Sequence, residues 1–373
     1  MATTDRTDAT ASADAVATRL REATFANLLV RADGESLAAA GLLAGACVAT
    51  ETPYQVSVVR TRDEFRARRD AADEAATSLP IGVADDRDSD DHGASEHPSL
   101  TAFEAAEALG ADPDPALAFA GVVAGDATPE DAAPAIVGAA DAERRSGLAS
   151  PTADPADALA HTTLAHAEYS GDPDAVEATV ESLGDGDDVD RRLASLLAID
   201  AVSADGATTR AAEAVERAIH PLAAGPMETV EGYADVLGAL AATAPVLGAA
   251  LAVADDEGAT RDAAIDVWRD HAVAAHEGVR SADVTRYDGL LVARTEGPVE
   301  AVARLLRDFR SPEPAVLAMC RGDVADGEDD GTTEAALATT DAPADPIEAA
   351  AEAAGGSGLA RGTTGYARFD PER

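Results

Sequence analysis

FANLLV (Phe25–Val30), RADG (Arg31–Gly34) and ESLAAAGLLAGACVA (Glu35–Ala49) follow one another without a break. The first is a continuous apolar run of strand length, the pattern of a strand buried on both faces. RADG has the residue types of a tight turn. Ser36 to Ala49 is too long for a strand and reads as a buried helix, with Ser36 as its cap. The pattern then repeats. Tyr54 to Arg60 reads as a second strand, Asp63 to Ala76 as a charged helix and Pro80 to Ala84 as a third strand. This alternation predicts an α/β domain built on a parallel sheet with covering helices.

Beyond it, Asp85 to His97 is an acidic loop, and helices are expected at Leu100–Leu109, Pro115–Ala124 and Pro129–Arg144. From Asp154 to Glu277 the periodicity is almost wholly helical. An uncharged run, Val236 to Ala254, is interrupted by Gly238, Thr243, Pro245 and Gly248 and reads as a buried helix pair, not a membrane span. The character changes near Val284. Two short strands, Val284–Tyr287 and Leu290–Arg294, meet at Asp288-Gly289, a hairpin signal. A helix at Val299–Phe309, strands at Ala315–Cys320 and Glu334–Thr339, a helix at Pro346–Ala354, a Gly-rich loop at Gly355–Gly362 and a strand at Tyr366–Phe369 complete a smaller α/β unit. The expected organisation is therefore a disordered or frayed segment over 1–18, an α/β domain over 19–200, a helical connector over 201–280 and a C-terminal domain over 281–373.

The chain of 373 residues carries 70 acidic and 28 basic residues, a net charge of -42, and every basic residue is arginine. Such a load repels itself in dilute buffer. At 1 M salt the Debye length falls to about 3 Å and the repulsion is screened. Apolar residues still make up 46% of the chain, enough for real cores, which argues against an acidic disordered protein. The composition is that of a protein from a salt-accumulating halophile. Met1 to Thr18 has neither the basic start nor the apolar core of a signal peptide, and the two cysteines, Cys47 and Cys320, lie in apolar segments. A cytoplasmic location is expected.

Asp33 stands out chemically. It follows a buried strand and precedes a helix, at the edge where open α/β sheets place their sites. There a carboxylate reaches a metal, or it only shapes the turn through its own backbone bonds. His161 and His166 are five apart, as are His271 and His276, so neither pair has the i,i+4 spacing of a zinc-binding helix. His92 and His97 fall in the acidic loop and read as solvated. Gly355-Gly356-Ser357-Gly358 lacks the lysine of a phosphate-binding loop. No Ser-His-Asp or Cys-His arrangement is present in the pattern.

Four segments in order resemble the RecJ-like branch of the DHH phosphoesterase superfamily. They are Leu29–Gly34 with Ser36–Ala40, Thr101–Asp126, Glu228–Ala250 and Ala350–Phe369. The resemblance implies a parallel-sheet DHH-type domain, a helical connecting region and a smaller DHH-associated C-terminal domain. It also implies a two-metal phosphodiesterase centre, usually with manganese. The ligand positions are depleted. Leu29 and Arg31 stand where the family's first motif has His and Asp, so that only Asp33 and Gly34 remain of it. Asp85 corresponds to the second-motif Asp, Asp126 to the fourth ligand, Asp91-His92 superficially to the Asp-His-His motif, and Gly358 takes the place of a C-terminal His. Two divalent ions need several converging carboxylates and imidazoles, and a fixed charge on Arg31 repels them or holds a phosphate.

The expectation is a degenerate member of the lineage that includes the replicative-helicase cofactor binding GINS. It would need no cofactor and would bind single-stranded DNA or replisome proteins such as GINS. The rival readings are an active single-strand exonuclease using manganese or magnesium, and a small-nucleotide phosphoesterase. Nucleic-acid contacts would come from Gly355, Gly356 and Arg361, and from Arg304 and Arg307 on one helix face with Arg310.

Overall fold

The computed structural model describes residues 2–73, 75–85, 95–140, 142–183, 189–204, 206–253, 258–321 and 332–369. The chain forms two compact units. One comprises Met1–Val59, Glu64–Glu143 and Leu222–Val267; the other Arg60–Asp63, Arg144–Pro221 and Trp268–Arg373. Each unit draws on separate stretches of chain, and the region read as a helical connector contributes to both.

The first unit is built on strands β1 (Ala26–Arg31), β2 (Tyr54–Val59) and β3 (Thr77–Ile81), all parallel in the order β2-β1-β3. The central position of β1 explains its unbroken apolar run, since all six of its residues are buried. Helix α1 spans Ala2–Glu22, α2 Gly34–Ala49, α3 Arg62–Asp70, α4 Pro98–Ala108 and α5 Pro115–Ala124. Small side chains let α2 lie buried among α4, α5 and the helices Val230–Thr243 and Pro245–Val253. Those last two hold the uncharged run, which is broken where Pro245 cannot continue a helix. No described helix is long and apolar enough to cross a membrane.

Three local expectations are corrected here. The segment expected to fray is helical, because Ala13, Val16, Ala17 and Leu20 recur at i, i+3, i+4 and i+7 and are buried, in a helix that packs on α4. The helix expected over Pro129–Arg144 is split into Pro129–Ala132 and Pro134–Ala139 by the second proline. The cap of α2 is Asp33, not Ser36, which already lies within the helix.

The second unit holds a six-stranded sheet of β4 (Asp283–Tyr287), β5 (Leu290–Arg294), β6 (Ala315–Arg321), β7 (Thr333–Thr339), β8 (Ser357–Arg361) and β9 (Thr364–Phe369). Their order is β8-β9-β7-β6-β5-β4. Only β5 and β6 run parallel among the pairings described, and helix Val299–Phe309 makes the crossover between them. The Gly-rich stretch expected to be a loop contains β8. A Schellman motif ends the preceding helix Pro346–Ala353: Gly356 N–H donates to Ala351 O and Gly355 N–H to Glu352 O, with Gly355 at φ +74°. Leu193, Leu197, Leu305, Phe309, Val316 and Tyr366 share one core. The expected helical region is interrupted at 162–172 by an irregular, largely buried segment. Cys47 is buried and Cys320 half-buried, and both are free thiols.

Candidate functional site

The turn after β1 is held by Asp33. Its Oδ1 accepts from Ser36 N–H at 2.8 Å and its Oδ2 from Ser36 Oγ at 3.0 Å, capping the first turn of α2. Arg31, the last residue of β1, brings its Nη1 to 3.2 Å from Asp33 Oδ2, with a side chain only 7% exposed. The carboxylate read either as a metal ligand or as a group that shapes the turn therefore meets a guanidinium and two donors from Ser36. Leu29, at the other replaced position, is buried within β1. The loop after β3 closes over this turn. Gly82 has φ +69°, and a Cβ on it would stand 2.1 Å from Ser36 Oγ and 3.3 Å from Arg31 Cβ. Its importance was hidden in the sequence, where the stretch reads simply as a strand.

Asp85, three residues further on, turns to α3: its Oδ1 accepts from Arg69 Nη1 at 2.6 Å. Asp126 follows the Gly125 cap of α5 in a left-handed conformation, φ +66°. Gly125 leaves room for Glu35, whose Oε2 lies 2.3 Å from where a Cβ would be. Glu35 is fully buried in the first turn of α2, accepts from Ser99 Oγ at 3.3 Å and lies 3.4 Å from His97 Nδ1. Nothing in the local pattern marks Glu35, and His97, expected to be solvated, stands beside it. The pairing arises because α4 packs on α2 and brings residue 97 to residue 35. Asp91 and His92 lie outside the described residues.

This donor set, among the described residues, does not fit a two-metal centre. Among the described residues no three His, Cys, Asp or Glu side chains converge as metal ligands would. Asp33 and Asp85 are each engaged by an arginine instead. An arginine beside a carboxylate supplies the positive charge that a cation would supply, so each pair is neutral without a metal.

The residues proposed for nucleic-acid contact lie in the second unit. Arg307 is buried, with Nε 2.7 Å from Asp308 Oδ1 and Nη1 3.1 Å from Thr339 O. Arg304 donates to Thr163 Oγ1 at 2.8 Å. Helix Val299–Phe309 is a core helix, not a solvated basic face. Gly355 and Gly356 serve the helix stop, and a Cβ at Gly356 would stand 2.2 Å from Arg368 O. Arg361 ends β8.

The second unit also assembles the histidines that the sequence left apart. His276 Nε2 lies 3.1 Å from Thr162 O, so this nitrogen donates. Its Nδ1 then accepts from His166 Nδ1–H at 3.0 Å, which assigns both tautomers in the neutral pair. Burial pushes both imidazoles far below their usual range, and each is disfavoured further by nearby Arg280. His271 is pushed down to about 4 by burial and by Arg304 and Arg60. His161 stands beside Asp157 at 3.0 Å, and Arg269 donates twice to the same carboxylate at 2.9 Å. Asp157 is thereby held well below the usual carboxylate range against its own burial. His271 and His276 share helix Ala259–Ser281, but five residues apart they do not have the i,i+4 spacing of a ligand pair. Contact across 110 positions joins His166 to His276.

Comparison with known proteins bears on both units. The crystal structure of CDC45 from Entamoeba histolytica superposes with a TM-score of 0.59 at 10% identity, covering 97% of this chain and 96% of that one. This likeness establishes a shared fold. The crystal structure of an exonuclease RecJ bound to manganese is more distant, with a TM-score of 0.43 at 13% identity over 97% and 89% of the two chains. A family model described as the C-terminal domain of uncharacterized protein rrnAC1427 matches residues 282–373. That protein, from Haloarcula marismortui, is 42% identical over 372 residues, 98% of this chain and 94% of its own length. With identity at that level from end to end, the chain belongs to the family of uncharacterized protein rrnAC1427.

Proposed function

We propose that this protein is a catalytically degenerate RecJ-like member of the DHH superfamily, acting in DNA replication or repair by binding and not by hydrolysis. The observation that carries the reading is the Arg31–Asp33 pair. The one acidic residue kept from the family's first motif is neutralised by an arginine standing where that motif has a second acid. A guanidinium there opposes the approach of divalent cations, which phosphodiester hydrolysis at a two-metal centre requires. The fold shared with CDC45 supports placing the chain among replication proteins.

Of the two kinds of partner, a replisome protein such as GINS is favoured over single-stranded DNA. Phosphate contacts need accessible cationic side chains, whereas Arg307 is buried against Asp308 and Arg304 is bonded to Thr163. The acidic surface also sets an electrostatic barrier to DNA, one that molar salt weakens.

The test uses the purified protein in molar KCl with manganese and labelled single-stranded DNA, beside an Asp33→Ala variant. No degradation by either, with recovery of GINS on the immobilised protein, is the expected result. Processive degradation by the wild type, lost in Asp33→Ala, would establish a working exonuclease and overturn the reading.

A further inference from the structure

We infer that β4, Asp283–Tyr287, is a self-association edge through which two copies of this chain join their sheets antiparallel. The sheet has two edges, and they are treated differently. β8, at one edge, is buried over Ser357–Leu359, and Ser357 Oγ accepts from Asp63 N–H at 3.0 Å. β4, at the other, has β5 as its only sheet neighbour among the described residues, and all five of its residues are exposed. Val284 and Tyr287 are among the large apolar side chains most open to solvent, at 50% and 57%. Proteins blunt bare edges with charged side chains, proline, bulges or covering elements. Among the described residues β4 has no proline, no bulge and no covering strand, and its two charges, Asp283 and Arg286, are of opposite sign; its register with β5 is continuous from Asp283↔Arg294 to Tyr287↔Leu290.

The register also shows which backbone groups are free to pair. Tyr287 and Leu290 flank a two-residue turn, so they form a mutually hydrogen-bonded pair. Alternation then makes Thr285↔Val292 and Asp283↔Arg294 hydrogen-bonded pairs too. The N–H and C=O groups of Val284 and Arg286 consequently point away from β5. A second copy laid antiparallel about Thr285 sets Val284 opposite Arg286 of that copy, and Arg286 opposite its Val284. Four backbone hydrogen bonds close in this way.

Charge agrees with this register. Asp283 falls opposite Tyr287 of the second copy and Arg286 opposite Val284, so no like charges face each other. β4 itself carries one acid and one base, Asp283 and Arg286, in a chain of net charge -42, and Arg286 already pairs with Glu313. An edge so much less acidic than the rest of the chain is where it can meet itself, once salt has screened the remainder. Five residues a side make a contact smaller than the roughly 1,200 Å² of stable complexes. The dimer therefore dissociates on dilution.

The experiment is sedimentation velocity in molar KCl over a concentration series, with oxidative cross-linking of a Thr285→Cys variant in which Cys47 and Cys320 are replaced by Ala. Thr285 faces its own copy in a non-hydrogen-bonded pair, with Cα atoms about 4.5 Å apart, within the span of a disulfide. The expected result is a mass rising toward twice the monomer with concentration, efficient cross-linking through residue 285, and little through an Asp283→Cys control. Val284→Pro removes an outward N–H without touching the β5 ladder; it should stay monomeric with an unchanged circular dichroism spectrum. A monomer at every concentration with no cross-link through residue 285 overturns the inference. So does a dimer that persists in Val284→Pro without that cross-link.

Discussion

Mild acid should unfold this protein through its buried histidines. His166, His271 and His276 are each at least nine-tenths buried, and burial is the first cause that disfavours their protonated forms. Every folded-state pKa lies below the unfolded value near 6.5, so the unfolded chain takes up protons first. The stability these groups contribute is complete above about pH 6.5 and is lost as pH falls toward the folded pKa, about 4 for His271. Each neutral imidazole makes a slope of about 1.4 kcal/mol per pH unit in that window. At pH 5.0 each costs about 2 kcal/mol, and the three together on the order of 6 kcal/mol, comparable with the whole stability of an ordinary domain. Asp157 and Asp308 do not confound the window. Their depressed pKa values add stability that is intact above the usual carboxylate range and lost only below it. The assay is urea unfolding in molar KCl at pH 7.5 and 5.0, followed by fluorescence of Trp268, the single, fully buried tryptophan. His271→Phe should remove about a third of the pH dependence. A midpoint unmoved between the two pH values, or an unaltered slope in the variant, would refute the reasoning.

Dialysis from molar KCl into dilute buffer should abolish the circular dichroism of the fold, since a net charge of -42 is then unscreened; a native spectrum in dilute buffer contradicts this. Gly82→Ala should cost about 2–4 kcal/mol in chemical unfolding, from its positive φ and the clash with Ser36 Oγ, whereas a near-neutral effect would show the loop after β3 to be loosely held. Asp308→Ala should be more severe, about 3–5 kcal/mol, because it removes the carboxylate paired with buried Arg307 and also with Arg217. Asp33→Ala should cost about 1 kcal/mol as a lost helix cap, with manganese changing neither variant nor wild type; a manganese-dependent rise in the melting temperature of the wild type alone would point to a metal at Asp33.

The local architecture was largely legible in the sequence. The apolar run that became β1, the parallel sheet around it, the hairpin at Asp288-Gly289 and the exact helix Val299–Phe309 all follow from short-range pattern. These features depend on periodicity and turn chemistry, which act over a few residues. That Leu29 and Arg31 stand where the resembled family's first motif has His and Asp was equally visible, because a residue's identity at a strand end needs no tertiary information.

Only the tertiary structure decided what those residues do. That Arg31 neutralises Asp33, that Arg69 takes Asp85, and that Glu35 lies buried beneath Gly125 beside His97 depend on which helices pack together. Arg304 and Arg307 have the spacing of an exposed basic face, yet their helix covers a sheet, and burial turned one of the two guanidiniums inward to Asp308 and Thr339. The histidines show the same limit: spacing excluded a helical pair, while the fold joined His166 to His276 from segments 110 positions apart. Hydrophobic burial sets which stretches of chain meet, and hydrogen bonds and charges then pair among the groups it has brought together, so partners distant in sequence leave no mark on the local pattern.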